Sequence, residues 1–223
     1  MKKLSYLSLL LLLVLLLTSS FTACDQVRIK RDDYYQRVLL TPTNTERVDE
    51  ELSKVTVDIL SARFKSAGYN RRDFKITLND DGSIIVECYK TCDIEVIVQT
   101  GEFTFKDSTG NVWLNGQDHV KGAYAANTTQ DGGYMVVLEF TDAGVSRFSD
   151  ATNTIKNMSD NKFYICIDDT VIAKPTVKEQ IASNTAQITG IFTYEEAILT
   201  ASIIDSGKLP IQYDTTEVIT RQL

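Results

Sequence analysis

The spacing of apolar residues in the first third of the chain predicts one helix followed by a pair of strands. Between residues 46 and 67 the apolar positions recur every three or four residues, as on one side of a helix; they are Val48, Leu52, Val55, Ile59 and Ala62. Thr45 can cap this helix and Gly68 can end it. Apolar and polar residues then alternate over residues 74–78, and residues 84–86 follow an Asn-Asp-Asp-Gly turn. This pattern predicts an antiparallel pair of strands.

In the second half of the chain, strands and helices alternate again. An apolar run at residues 134–140 predicts a strand, and Thr141 is placed to cap a helix that extends to Ile155. Another strand at residues 163–167 turns at an Asp-Asp pair and returns as a hairpin, which Pro175 ends because proline has no N–H for the ladder. The further predicted elements are a short helix at 93–99, strands at 102–105, 112–114 and 209–213, and a last helix at 194–204.

Length and charge limit the classes of protein to which this chain can belong. With 223 residues, of which 43% are hydrophobic, it can bury a sizeable core in one or two compact units. The formal net charge is −7, and removal of Lys2 and Lys3 with a leader would make it more negative. Nucleic-acid binding needs lysines and arginines that neutralise phosphates, so this charge argues against a nucleic-acid partner. It also gives no general attraction to an anionic membrane surface.

The N-terminal segment has the features of an export signal. Two lysines precede an apolar run from Leu4 to Leu17, which is shorter than the roughly 20 residues of a membrane-spanning helix. The end of the segment, Phe-Thr-Ala-Cys, resembles the lipobox of lipoproteins. We therefore predict a signal peptide at residues 1–23 and a diacylated Cys24 at the start of the mature chain. An ordinary secretory cleavage after Ala23 and an uncleaved anchor are the alternatives.

Residues 24–45 are predicted to form a lipid-anchored tether that holds a folded domain a short way off the membrane. The first part of this segment is charged and has few apolar residues, so it cannot bury much surface. Residues 34–40 could form a first strand inside the tether, and Thr41-Pro42 would end it.

The residues with catalytic or metal-binding side chains form no recognisable constellation. A single histidine, His119, stands beside Asp118 near a predicted turn and is most simply a hydrogen-bonded structural residue. Turn chemistry and the helix dipole account for the carboxylate pairs, which are Asp80-Asp81, Asp168-Asp169 and Glu195-Glu196. No nucleotide loop, nucleophile motif or metal motif stands in the sequence. We therefore expect a protein that is not an enzyme and that uses no metal, cofactor or small-molecule substrate.

Three cysteines besides Cys24 bear on redox chemistry. Cys88 and Cys92 follow a predicted strand with three residues between them, and in an oxidising location they could close a small disulfide loop. Two free thiols are the alternative, because spacing alone does not determine the disulfide geometry. Cys166 lies in an apolar strand and is most simply a small buried hydrophobic residue.

Several short phrases follow one another in the second half of the chain, from Thr-Asp-Ala-Gly at 141–144 through Ile-Thr-Gly at 188–190 to Ser-Gly-Lys-Leu-Pro at 206–210. Their order resembles the first large extracytoplasmic domain of SecD, a subunit of the bacterial protein-export machinery. In that family a strand leads into a Thr-Asp-x-Gly helix start. Ala-Pro-x-Val, Ile-Thr-Gly and Phe-Thr-x-Glu-Glu-Ala phrases follow before a Ser-Gly-x-Leu-Pro exit. The corresponding positions here are residues 141–144, 173–177, 188–190, 192–197 and 206–210. The structural landmarks of this resemblance are Gly144, Pro175, Gly190, Gly207 and Pro210.

The resemblance implies an α+β fold that consists of a ferredoxin-like base with an inserted α+β head. The implied boundaries are a first base segment at residues 46–114, a head at 115–190, and a closing helix and strand of the base at 191–223. Gly190 would then lie where the chain returns from head to base. We expect a tight backbone there, so a valine at this position should be destabilising.

The same resemblance implies a non-catalytic, protein-binding domain outside the membrane, and the predicted lipid anchor at Cys24 would hold it at the extracytoplasmic face of the cell membrane. Its partners would be exported or unfolded polypeptides, or components of the export channel. The chain ends at Leu223 and shows neither transmembrane helices nor the Asp-Leu-x-Gly-Gly phrase of SecD. We therefore expect only the binding part of the family's activity. The alternative is an envelope lipoprotein that reuses this fold for another protein partner.

Overall fold

A computed structural model describes residues 34–43, 49–128 and 133–222 of the protein. The predicted signal peptide, Cys24 and the predicted helix cap Thr45 lie outside these residues. In chain order the elements are β1 (Tyr34–Pro42), α1 (Glu50–Ser66), β2 (Phe74–Leu78), β3 (Ile84–Cys88), α2 (Ile94–Val98), β4 (Phe103–Lys106), β5 (Val112–Asn115), α3 (Gly116–His119), β6 (Val120–Asn127), β7 (Tyr134–Phe140), α4 (Asp142–Ile155), β8 (Tyr164–Ile167), β9 (Thr170–Ala173), β10 (Thr185–Phe192), α5 (Tyr194–Ser206) and β11 (Tyr213–Gln222).

Four strands form an antiparallel sheet in the order β11-β1-β3-β2. Helix α1 connects β1 to β2, helix α5 leads into β11, and the two helices pack against each other. This strand and helix order is the ferredoxin-like arrangement, and we call it the base. The predicted fold class, α+β with a ferredoxin-like base that carries an inserted α+β part, is confirmed.

The residues between α2 and α5 form two more antiparallel sheets, and we call residues 103–192 the head. One sheet has the order β5-β4-β8-β9 and the other has the order β10-β7-β6. Side chains from both sheets meet α4 in one apolar cluster, in which Phe105, Phe148 and Phe163 make edge and stacked ring contacts. Aromatic side chains bury large apolar areas, so this cluster is the main core of the head.

Helix α5 belongs to both parts of the molecule. Ala197, Ala201 and Ile203 lie in the apolar cluster of the head, whereas Leu199 packs against the separate cluster of the base. Thr193 begins the helix with a full capping box, in which Thr193 Oγ1 accepts from Glu196 N at 3.1 Å. The head therefore shares a structural element with the base.

The predicted first strand is present and extends to Pro42 inside the segment that we expected to be a tether. It pairs with β11 on one side and with β3 on the other. Val38 and Leu40 point into the base core and are almost fully buried. Residues 34–42 are thus a structural part of the base sheet.

Helix α1 begins at Glu50 with Asp49 as its cap, and its buried face differs from the predicted one. Leu52 and Val55, which belong to the predicted stripe, are 37% and 41% exposed. The buried residues are Ser53, Thr56, Leu60, Arg63 and Phe64. The prediction of Leu52 and Val55 was wrong because it equated the buried face with the apolar residues, whereas the buried face combines Leu60 and Phe64 with the polar Ser53, Thr56 and Arg63.

The remaining differences concern strands. The closing strand, β11, begins at Tyr213, where the predicted strand ended. Strand β6 was not predicted, because Gly122, Ala123 and Ala125 have weak strand preferences. Within the described parts of the chain, no helix combines the length and apolar character needed to cross a membrane.

Candidate functional site

Arg63 lies where the chain leaves the base for the head and where it returns. Its side chain is fully buried at the end of α1. The guanidinium donates to five acceptors: Ile97 O at 2.9 Å, Gln99 O, Thr100 O at 3.1 Å, Gly207 O at 2.7 Å and Ser206 Oγ at 3.0 Å. One side chain of the base thus binds both the outgoing and the returning segment.

The charge of Arg63 is compatible with this burial. Burial lowers the pKa of Arg63 to about 10, so the guanidinium remains protonated at neutral pH. A buried cation is tolerated only when its donors are satisfied, and the five acceptors meet that condition. Two of them, Ser206 and Gly207, lie at the C-terminal end of α5, where the helix dipole favours a positive charge.

Gly101 and Asp168 complete this arrangement, which we call the junction (Arg63, residues 97–102, Asp168 and residues 206–209). Gly101 has a φ of +82°, and a Cβ on it would lie 2.3 Å from Arg63 Nη2, so only glycine fits. Asp168, in the β8–β9 turn, accepts from Gly101 N at 3.0 Å and from Glu102 N at 2.8 Å. The junction therefore ties the head turn to the same segment that Arg63 holds.

An apolar groove lies in the head between β8, β9 and β10, above α4. The main cavity has a volume of about 340 Å³, and a neighbouring cavity of about 310 Å³ shares Ile165, Pro175, Gln187 and Ile188 with it. We call the two together the head groove. Apolar lining is contributed by Phe105, Phe148, Phe163, Ile165, Val177 and Ile188, and uncharged polar lining by Thr176, Ser183, Thr185 and Gln187. Among the described residues that line it, Lys174 is the only charged one.

Strand β10 forms one wall of the head groove and is an edge strand of its sheet. Phe140 N donates to Asn184 O at 2.9 Å, and the register then pairs Ala186 with Leu138. Because hydrogen-bonded pairs alternate in an antiparallel ladder, the backbone groups of Gln187 and Thr189 point away from β7. A second edge strand, β9, lies on the opposite side of the groove.

A second cleft lies beside the junction and is more polar. It has a volume of about 670 Å³ and is bordered by Leu52 of α1 and by residues 209–212. Three carboxylates line it, namely Glu102, Asp168 and Asp169, and Lys208 Nζ lies 3.2 Å from Glu102 Oε1. Apolar ligands would have to displace water from these charges, which is unfavourable. The head groove is therefore the better candidate for apolar ligands.

The landmark Gly144 lies in the first turn of α4 against α3. Gly144 N donates to the cap Thr141 Oγ1 at 3.0 Å, and Thr141 N donates to His119 O at 3.0 Å. A Cβ at position 144 would lie 2.1 Å from His119 O, so this approach requires glycine. The His119 ring accepts a hydrogen bond from Asn115 N at 3.1 Å, which is a structural role.

The other landmarks lie at ends and irregularities of elements. Pro175 follows β9 and its carbonyl accepts from Phe163 N at 3.0 Å, while exposed Pro210 borders the polar cleft. Gly207 caps α5 with a φ of +80°. Gly190 is exposed within β10, where the register against β7 shifts between Thr189 and Phe192.

Cys88, Cys92 and Cys166 are free, buried thiols in this structure. The first two belong to the core of the base, at the end of β3 and in the link to α2. Cys166 lies in β8 and donates to Tyr164 O at 3.7 Å. No group of three or more metal-ligating side chains occurs among the residues that the structure describes.

Sequence reasoning did not identify the junction. Its signals are faint: an arginine, Arg63, between two apolar residues of a helix, and a glycine, Gly101, before the strand β4. The acceptors of Arg63 come from segments far along the chain, so the helix pattern alone carries no information on them.

The sequence profile of the family "SecDF, P1 head subdomain" matches residues 99–211, about half of the chain. The chain belongs to this family. The match starts and ends outside the predicted head at 115–190, and it includes β4, β5 and α5, which supply residues to the head cluster. The 115–190 boundary stays a prediction.

Relatives of this SecDF-type chain include SecD subunits of protein translocase. The SecD of Acidaminococcus fermentans is 31% identical over 179 residues, which cover 78% of this chain and 41% of that protein. The SecD of Dictyoglomus turgidum is 32% identical over 187 residues, which cover 81% of this chain and 45% of that protein. The chain thus spans less than half the length of these relatives.

Two solved structures share the fold of the SecDF-type chain. One, of SecDF as a membrane component that enhances protein export, has a TM-score of 0.63 at 21% identity and covers 81% of this chain and 98% of that chain. Another, SecDF in a super-membrane-facing form, has a TM-score of 0.65 at 22% identity and covers 98% of this chain and 35% of that chain. At this level of identity the likenesses show the fold alone.

Proposed function

We propose that the protein is a non-catalytic, extracytoplasmic SecD-like domain that binds exported or unfolded polypeptide near the protein-export channel. The observation that carries this proposal is the head groove, which combines an apolar floor with an edge strand. Unfolded polypeptides expose both apolar side chains and unpaired backbone groups. The apolar floor of the groove can bury the side chains, and the edge strand can pair with the backbone groups.

The backbone of β10 supports recognition that does not depend on sequence. The outward-facing groups of Gln187 and Thr189 can pair with an extended segment, as in the addition of a strand to a sheet edge. The apolar floor beside them, including Phe148 and Ile188, can receive alternate side chains of that segment. Many different apolar sequences would satisfy this arrangement.

The uncharged lining predicts how binding depends on salt. Because Lys174 is the one charged side chain among the described residues of the groove, attraction would come from apolar burial and hydrogen bonds rather than from ion pairing. Screening by salt weakens interactions between exposed charges and leaves apolar burial largely intact. Binding should therefore change little between low and physiological salt.

The proposal includes attachment to the outer face of the cell membrane through a diacylated Cys24. Two acyl chains hold a protein stably at a bilayer, whereas one chain binds only marginally. The resemblance of residues 21–24 to a lipobox supports this anchor. Components of the export channel would then be neighbours of the domain.

The experiment is a titration of residues 25–223 with an unfolded secretory protein and with the same protein in its folded form. We expect a Kd in the micromolar range for the unfolded form, which corresponds to about −8 kcal/mol, because clients must also be released. Binding to the folded form should be at least tenfold weaker. Equal binding to both forms, or binding to neither, would overturn the proposal and favour an envelope protein partner instead.

A further inference from the structure

Two buried thiols lie together where β3 ends and the chain turns toward α2. Cys88 is fully buried and faces Gln36 of β1, while Cys92 is 8% exposed and precedes the α2 cap Asp93. Cys92 Sγ donates to Gln36 Oε1 at 3.4 Å. The interaction with Cys92 lowers the pKa of the Cys88 thiol, and the same interaction raises the pKa of the Cys92 thiol. Gln36 lies directly opposite Cys88 in the β1–β3 ladder, so both thiols lie beside the same side chain.

The link between the thiols is fixed from both sides. Tyr69 Oη donates to Thr91 O at 3.2 Å, and Tyr89 N donates to Asp73 O at 2.7 Å. Lys90 and Thr91 are exposed, so the surface lies close to the two sulfur atoms. Cys88 Sγ donates to the carbonyl of exposed Lys90 at 3.4 Å, so a local opening of this short link would expose the thiol to a small oxidant.

We propose that Cys88 and Cys92 are a site of reversible two-electron oxidation, with peroxide as the oxidant and an intramolecular disulfide as the product. The Cys88 thiolate attacks one peroxide oxygen, the O–O bond breaks, and hydroxide leaves with a proton as water. Cys92 then attacks the sulfur of the Cys88 sulfenic acid and gives its thiol proton to the departing hydroxide. The S–S bond forms, the S–O bond breaks, and a second water leaves. Two thiols and one peroxide thus give one disulfide and two waters.

The disulfide would tie the end of β3 to the start of α2. A bridge that closes such a short loop restricts the unfolded chain only modestly, so we expect Tm to rise by about 4–8 °C on oxidation. A dithiol reductant should restore the original Tm. This inference does not depend on polypeptide binding by the head groove.

Peptide mapping tests the proposal on the full chain in a Cys24→Ser, Cys166→Ser background. Trypsin cleaves after Lys90, between the two cysteines, so the bridge would join residues 76–90 to residues 91–106. After treatment with hydrogen peroxide, we expect these two peptides as one linked species that dithiothreitol separates. Two alkylatable thiols after treatment, or sulfinic acid at Cys88 without a link, would overturn the proposal.

The variant Cys92→Ser provides the matched comparison. It retains Cys88 in the same strand, and it should yield no linked peptide and no rise in Tm on peroxide treatment. An equal rise in Tm for this variant would show that the stabilisation does not come from the bridge. The mapping of the chain that retains both thiols remains decisive if Cys92→Ser folds poorly.

Discussion

Arg63 Nη2 donates to Gly207 O at 2.7 Å, which joins the last part of α1 to the residue that ends α5. The same guanidinium holds the carbonyls of Ile97 and Thr100 on the outgoing segment. One buried cation of the base therefore binds both of the chain segments that connect the base to the head. The consequences of this contact can be measured.

Replacement of Arg63 by methionine should lower the free energy of unfolding by about 3–5 kcal/mol. Methionine can fill part of the volume but donates no hydrogen bond, so several buried carbonyls lose their partner. Urea unfolding measures the loss. The control is Lys65→Met, an exposed residue of the same helix, which should change the free energy of unfolding by less than about 1 kcal/mol. Similar losses for both variants would contradict the role of Arg63.

Replacement of Gly144 by alanine should lower the free energy of unfolding by about 1–3 kcal/mol. Alanine is intrinsically better than glycine in a helix by about 1 kcal/mol, so a net loss would come from the clash with His119 O. The control is Gly133→Ala, where the nearest atom to a new Cβ, Thr128 Oγ1, would be 3.6 Å away. If Gly144→Ala is more stable than the native protein, α4 can shift enough to accommodate the new methyl group, and the predicted clash is wrong.

Asp107 should make stability depend on acid pH. Burial raises the pKa of Asp107, but hydrogen bonds from Thr109, Trp113 and Asn111 outweigh it and lower the pKa to about 2. Because the folded-state pKa lies below the unfolded value of 3.8, the stabilisation is present above about pH 4 and is lost as pH falls through about 2. The contribution is about 2 kcal/mol at most.

The measurement is the free energy of unfolding of the native chain and of Asp107→Asn at pH 5 and at pH 2.5. The native chain should be more stable than the variant at pH 5, and the difference should shrink at pH 2.5. If the difference in the free energy of unfolding is the same at both pH values, the charge of Asp107 does not contribute to stability, and the prediction is wrong.

The sequence placed some elements correctly because the decisive signals are local. Strand β7 and helix α4 lie at their predicted positions, since a continuous apolar run leads directly to the cap Thr141. The sequence did not predict the head groove, because β10 presents Thr185, Gln187 and Thr189 on its exposed face and shows little apolar character. The partners of Arg63 are distant in sequence, so no local pattern predicts the junction.

Substitution of Cys24 by serine should release the protein from membranes or leave its precursor unprocessed. Serine cannot form the thioether to which the diacylglycerol is attached, and without two acyl chains membrane binding becomes weak. Cell fractionation measures the release, and mass spectrometry of the mature N-terminus of the native protein identifies the modification. A mature N-terminus without lipid would contradict the anchor.

The central claim is that β10 in the head groove pairs with an extended polypeptide, and Gln187→Pro tests it most directly. Gln187 N points away from β7, so proline should remove this donor without breaking the ladder of the sheet. The control Gln187→Ala removes the side chain and keeps the N–H. Both variants should retain the Tm of the native protein within a few degrees.

Each variant is titrated with the same unfolded secretory protein. We expect Gln187→Pro to weaken binding by about 3- to 10-fold, the range for one lost hydrogen bond, and Gln187→Ala to bind within about 2-fold of the native protein. Native-like binding by Gln187→Pro would contradict the pairing of β10 with its client.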